Sequence, residues 1–204
     1  MTHNCNGLLT RVGERHKEEL RMDLVLRFAK KNRVPVIAIQ EPHINSSQKL
    51  EFATKRFKKK GYSLISPITP EGRGGAGIAY SDDFALVSTK FFSDRLCFAS
   101  LRSGDGEIFN FLSVHMHHRG PTRSAQWRSL LTDPEFAIPP RTLVLGDFNS
   151  VIIPSRDIDH HLPVFRDLRQ GGQHAELALH ALNWPANSVR GCDTRGPAQR
   201  LANH

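Results

Sequence analysis

The stretch Thr142-Leu-Val-Leu-Gly-Asp-Phe-Asn149 constrains this chain more than any other. A short apolar run reads as a buried strand, Gly146 permits a tight turn at its end, and a carboxylate and a carboxamide follow two residues apart. If the strand continues, Asp147 and Asn149 point to the same side and can address one ligand. The alternative is a plain turn, because Gly, Asp and Asn are the usual turn residues. The rest of the chain decides between them.

Thr2 to Asn6 reads as a short strand stopped by Gly7. From about Glu14 to Lys31, Leu20, Met22, Leu24, Val25, Leu26 and Phe28 recur with helical spacing among charges, which predicts an amphipathic helix. Val34-Pro-Val-Ile-Ala-Ile39 is a compact apolar strand, buried on both faces if parallel, and it runs into Gln40-Glu41-Pro42-His43. Ser46 or Ser47 caps a second helix reaching Lys60, with Leu50, Phe52, Ala53 and Phe57 available to a core. Its basic tail, Lys55-Arg-Phe-Lys-Lys-Lys60, suits the negative end of a helix dipole and reads as a solvated face, not a dedicated nucleic-acid patch.

Tyr62 to Ile65 is the next strand, and beyond Pro70 short strands follow at Gly74–Tyr80, Ala85–Phe92, Leu96–Leu101 and Glu107–His115, with a hairpin turn at Ser103-Gly-Asp-Gly106. The glycines near position 74 lack the Gly-Lys-Ser/Thr ending of a phosphate loop, so they read as the entry to a strand. Thr122 to Leu131 is helical and Arg141 to Leu145 is the strand that leads to the opening motif. Helical character returns at Val164–Leu168 and Ala175–Leu182, and Asn183 to His204 is polar and rich in breakers. No internal repeat or dividing linker occurs, so the expected organisation is one α/β domain.

Charge and cysteine content narrow the setting. A net charge of +8 and a pI near 9.8 favour polyanionic partners. No apolar stretch is long enough to cross a bilayer, and Met1 is followed by polar residues in place of a basic and apolar leader. Cys5, Cys97 and Cys192 lie far apart without a Cys-x-x-Cys pair, as expected of free thiols in a reducing compartment. The expected location is therefore intracellular, nuclear or cytoplasmic and not secreted.

Three strands of this reading end in polar residues: Asn4 and Asn6, Gln40 and Glu41, and Asp147 and Asn149. Side by side, Glu41 and Asp147 supply hard oxygen ligands for a divalent cation while the amides orient water or phosphate, which is the chemistry of phosphodiester hydrolysis. In Val114-His-Met-His-His118, His115 and His117 share a face if the strand persists. The spacing lacks the Asp and His that a dizinc motif needs at positions 119 and 120, so one functional histidine with polar neighbours is expected in place of a histidine metal site.

Asn4-Cys-Asn-Gly-Leu8, Ile39-Gln-Glu-Pro-His43, Gly74-Gly-Ala-Gly-Ile-Ala79, Leu112-Ser-Val-His115 and Gly146-Asp-Phe-Asn149, in this order, resemble the endonuclease/exonuclease/phosphatase superfamily. The nearest resemblance is to the apurinic-like endonuclease domain of non-LTR, LINE-type retrotransposon polyproteins. It implies a four-layered α/β sandwich, two mixed β-sheets packed face to face with helices outside, over residues 1–170, followed by a degenerate or poorly ordered segment 171–204. It further implies that Glu41 holds Mg²⁺, or Mn²⁺, with Asn4 and Asp147 as neighbouring ligands. Asp147 would orient or activate the attacking water, Asn149 would contact the scissile phosphate, and His115 would stand where the endonucleases usually have tyrosine and some phosphatase-like relatives have histidine.

The pattern departs from that superfamily after Asn149. No closing Ser-Asp-His occurs before His204, and Ile158-Asp-His-His-Leu-Pro-Val164 follows Asn149 too closely to replace it, so the Asp159-His160 pair reads as a coincidental loop. The expected function is a C-terminally truncated, retroelement-derived DNA endonuclease domain. Its Mg²⁺-dependent phosphodiester hydrolysis is expected to be weak or absent, because a preorganised group that stabilises developing charge is missing. The alternatives are a non-catalytic nucleic-acid-binding remnant and a phosphatase of small or lipid phosphoesters. DNA is the expected partner, membranes are not, and the chain is expected to be a monomer or part of a larger polyprotein.

Overall fold

A computed structural model describes residues 1–12, 19–132, 138–139 and 141–149. The helical segments expected after position 160, the Asp159-His160 pair and the boundary expected at 170 lie outside the described residues. In chain order the elements are β1 (Thr2–Asn4), β2 (Arg11–Val12), β3 (Glu19–Leu20), α1 (Arg21–Lys31), β4 (Val36–Gln40), α2 (Ser47–Lys59), β5 (Tyr62–Ile65), β6 (Ala76–Ser81), β7 (Phe84–Ser93), β8 (Leu96–Ser103), β9 (Ile108–His115), α3 (Gly120–Thr132) and β10 (Thr142–Asp147).

Among the described residues two four-stranded mixed sheets form, ordered β1-β4-β6-β5 and β10-β9-β8-β7, and β2 pairs with β3 in a small ribbon. In the first sheet β1 runs parallel to β4 while β6 is antiparallel to both β4 and β5. In the second, β10 runs parallel to β9, and β8 is antiparallel to β9 and β7.

Strand periodicity explains the layering, because alternate side chains leave opposite faces of a sheet. Ile37 and Ile39 of β4 join Met22, Val25, Leu26 and Ala29 of α1 and Ala53 and Phe57 of α2 in one core cluster. Val36 points the other way and packs with Ala76, Ile78 and Tyr80 of β6 against Cys97, Ala99 and Leu101 of β8. Leu96 and Phe98 of β8 turn outward again with Leu112 and Val114 to meet Trp127 of α3. The order is helices, sheet, sheet, helix: four layers, as expected.

Every residue of β4 is buried, in keeping with a strand covered on both faces. Gln40 is buried too, and its amide does not orient water or phosphate as expected. Its Oε1 accepts from Thr2 Oγ1 at 2.8 Å, and its Nε2 donates to Ser113 Oγ at 3.2 Å in the opposite sheet. Burial obliges a polar side chain to find partners inside the protein, so Gln40 ties the two sheets together.

Several boundaries differ from the sequence expectation. The helix expected from Glu14 begins at Arg21, because Glu19 and Leu20 pair with Arg11 and Val12. Phe28 and Phe52 are exposed, at 56% and 48%. On α2 it is Ala53 and Phe57, one turn apart, that face the core, and Phe52 sits one residue off that stripe. Ser46 caps α2 by accepting from Lys49 N at 3.3 Å. In its basic tail Lys58 pairs with Asp82 at 2.8 Å, and Arg56 grips Asp23 of α1 with Nε to Oδ1 at 2.9 Å and Nη2 to Oδ2 at 2.8 Å.

The main correction concerns Gly146. It makes no turn: β10 continues through it to Asp147, in parallel register with β9 so that Gly146 pairs with Val114 and Asp147 with His115. Glycine is required because a Cβ there would lie 1.9 Å from the Val114 carbonyl oxygen.

Candidate active site

The site forms where β1, β4, β9 and β10 end together. Parallel pairing sets Asn4 beside Gln40, so Glu41 is the first residue beyond that pair, and Asp147 lies beside His115 on the facing sheet. Glu41 adopts a left-handed conformation, φ 53°, as do Asn6, His43 and Asn149 at 40°, 53° and 44°. Four such non-glycine residues at one end of a sandwich store backbone strain that surrounding bonds must hold. Those bonds are present: Glu41 N donates to Gly75 O at 3.0 Å, Gly7 N to Glu41 O at 2.8 Å, and Leu8 N to Pro42 O at 3.0 Å.

Asn4 joins the two carboxylates. Its Nδ2 donates to Glu41 Oε1 at 3.0 Å and lies 3.4 Å from Asp147 Oδ2. Its Oδ1 accepts from Asn6 N at 3.1 Å, which fixes the orientation of the amide. Asn4 therefore turns its nitrogen, not its oxygen, toward the carboxylates, and direct ligation of a metal through Oδ1 would require giving up the bond to Asn6.

Glu41 is also flanked by two imidazoles. His115 Nε2 lies 3.5 Å from Oε1 and His43 Nε2 lies 3.3 Å from Oε2. Partial burial pushes the Glu41 carboxyl up, but the bond from Asn4 and the nearby His115 and His43 together outweigh it and hold the group below its usual value. His115 is almost fully buried, and that burial, with the Arg95 guanidinium beside it, holds its pKa below the usual imidazole value against the opposing pull of Glu41 and Asp147. The arrangement favours an ionised glutamate next to a neutral imidazole.

Asn149 does not share a strand face with Asp147, because β10 ends between them. Its backbone N donates to Asp147 Oδ1 at 2.9 Å, and its Nδ2 donates to Met116 O at 2.7 Å, so it braces Asp147 from behind. His117 likewise leaves the strand: its backbone N donates to Gln126 Oε1 at 3.0 Å, and buried Arg123 ties down the carbonyls of His117 and His118 at 3.1 and 2.9 Å. His115 is thus the one member of Val114-His-Met-His-His118 that faces Glu41. Sequence reading did not assign Arg95, whose Nη1 lies 3.1 Å from His115 Nδ1, or His43. His43 was within reach as the end of Gln-Glu-Pro-His, whereas Arg95 sits in a hairpin turn with no local signal.

The sequence profile of the Endonuclease/Exonuclease/phosphatase family matches residues 1–201. The chain belongs to this family. Among solved structures it is similar to an AP endonuclease from Archaeoglobus fulgidus, with a TM-score of 0.64 and 18% identity over 89% of this chain and 68% of that one. It also resembles ANGEL2, a 2′,3′-cyclic phosphatase, at a TM-score of 0.46 and 18% identity over 64% of this chain and 44% of that one. No curated protein sequence matches the chain. At this level of identity the AP endonuclease speaks to the fold, and it agrees with two mixed sheets carrying helices outside.

Enzymes of the endonuclease/exonuclease/phosphatase family generally depend on a divalent metal. The donor set here fits a hard cation: Glu41 Oε1 and Asp147 Oδ2 are carboxylate oxygens that already share one hydrogen-bond donor. Among the described residues no group of three or more His, Cys, Asp and Glu forms a ready cage.

Proposed function

We propose that the chain is a Mg²⁺-dependent phosphodiester hydrolase acting on DNA, an endonuclease domain of retroelement origin. The observation that supports this reading best is the convergence of Asn4, Glu41, His115 and Asp147 from four strands of two sheets onto one patch. Glu41 would hold the cation, with Asp147 beside it; when bound, the metal would neutralise charge on the phosphate. Asp147 Oδ2 is directed into the site while Oδ1 is held by Asn149 N, so this carboxylate orients the attacking water without swinging away. His115 and Asn4 supply N–H groups toward the same place, where negative charge accumulates on the phosphoryl oxygens. The net charge of +8 favours a polyanionic substrate.

His115 supports a second reading on the same fold, hydrolysis of small or lipid phosphoesters. Nicking of supercoiled plasmid with Mg²⁺, run beside phosphate release from small phosphoesters, separates the two. DNA nicking that Glu41→Ala and Asp147→Ala abolish supports the nuclease, phosphate release without nicking supports the second reading, and salt-sensitive DNA binding with neither activity supports a non-catalytic remnant.

A further inference from the structure

Arg95 lies in the turn joining β7 to β8, and its backbone is fixed from several sides. His115 N donates to Arg95 O at 2.9 Å, Arg95 N donates to Ser93 Oγ at 3.2 Å, and the adjoining Asp94 O accepts from Ala76 N at 2.8 Å in the other sheet. From there the guanidinium passes over Gly74, where a Cβ would lie 2.8 Å from Nη2, and brings Nη1 to 3.1 Å from His115 Nδ1. The glycine before β6 therefore serves more than strand entry: it leaves the space in which the Arg95 side chain lies.

A guanidinium nitrogen carries protons and offers no lone pair, so it can only donate. The ring nitrogen facing it must then accept, so His115 Nδ1 bears no proton and the single proton of the neutral ring sits on Nε2. Nε2 is the atom that faces Glu41 Oε1, at 3.5 Å. The His115 side chain is only 7% exposed, so water has little access to exchange these roles.

We propose that Arg95 is a positioning residue that fixes His115 in the Nε2–H tautomer, so that His115 enters the site as a hydrogen-bond donor. Its use there rests on the phosphodiesterase reading above: Nε2–H donates to a phosphate oxygen as charge builds on it, and no proton is transferred. A general base acting through Nε2 would need a lone pair that this tautomer does not have.

The tautomer is read directly by two-bond ¹H–¹⁵N correlation spectra of the whole chain labelled at histidine, recorded near neutral pH without metal or substrate, with His115 assigned by its loss in His115→Gln. The expected wild-type pattern is a pyridine-type Nδ1 and a pyrrole-type Nε2. Arg95→Lys, which keeps a donor, retains it, and Arg95→Ala shifts it toward averaging or toward Nδ1–H. Arg95→Met, which keeps the aliphatic length without a donor, gives the same loss and serves if Arg95→Ala does not fold. A wild-type proton on Nδ1, or a pattern unchanged in the folded Ala or Met variant, overturns the proposal. Because no substrate is present, these spectra stand whether or not the wild-type chain cleaves DNA; absence of nicking with the expected spectra would overturn the assigned function alone.

Discussion

Gly146 and Val114 meet so closely across β10 and β9 that a Cβ on Gly146 would lie 1.9 Å from the Val114 carbonyl oxygen. The obstacle is strand backbone held in the β10–β9 pairing, which cannot rotate away as a side chain would. Gly146→Ala must therefore separate the strand ends that carry Asp147 and His115. The expected cost is about 1–3 kcal/mol, as for other forced insertions into packed structure, read as a lower urea midpoint with loss of activity. An alanine variant of unchanged midpoint and activity would show that β10 does not pair with β9 in this register.

Arg56 and Asp23 clamp α2 to α1 through a two-pronged contact, with the Asp23 side chain 8% exposed and Arg56 44% exposed. Removing the guanidinium leaves a largely buried carboxylate without its main partner. The half-exposed arginine is screened by solvent, so Arg56→Ala should cost about 1–2 kcal/mol. Arg56→Lys should recover only part of that, since a lysine cannot span both oxygens. Equal stability of all three proteins in urea titrations would contradict the clamp.

Much of the fold was legible because local pattern and tertiary role agree there. β4 reads as a doubly buried strand and is one, and Ser46 caps α2 as its position before the helix indicates. The carboxylates Glu41 and Asp147 were legible as strand-end polar groups. Gly146 carries the local pattern of a turn residue, whereas its requirement comes from Val114, a partner distant in sequence. Gln40 and Glu41 looked equivalent as neighbours, yet strand alternation and the bend after Gln40 send one between the sheets and the other into the site. Arg95 was invisible because its role depends on the space over Gly74, which no spacing rule encodes.

Burial pushes the Cys5 and Cys97 thiols up to about 12. Their folded values lie above the unfolded one, so the protonated state contributes stability below about pH 8.5, and that contribution declines as the pH rises through the unfolded value toward the folded ones. Both thiols should resist alkylation in the native protein at neutral pH and react once urea unfolds it. Mass spectrometry of alkylated peptides checks this, and rapid native labelling at either position would contradict the packing assigned to them.

Asn4 donates into a site with two carboxylates, so Asn4→Asp should exchange a favourable contact for a third negative charge. In metal-free buffer the variant should be less stable by about 1 kcal/mol, a small value because the site is open to solvent. Mg²⁺ should restore more stability to it than to the wild type. For the wild type, metal roughly a hundredfold above its Kd should add about 2–3 kcal/mol, and Glu41→Ala should remove that response. Thermal melts across a Mg²⁺ titration read all three, and an undiminished Mg²⁺ response in Glu41→Ala would remove Glu41 from the metal site.

The most direct test of the central claim is the rate of supercoiled plasmid nicking by the full chain as Mg²⁺ is titrated, compared with Glu41→Gln and Asp147→Asn. Both substitutions keep size and remove charge. The account predicts metal-dependent nicking by the wild type and a loss of about a hundredfold or more in each variant, as expected when a charge-stabilising or water-orienting group is removed. Nicking at equal rates by all three proteins, or nicking that persists without divalent metal, would contradict it.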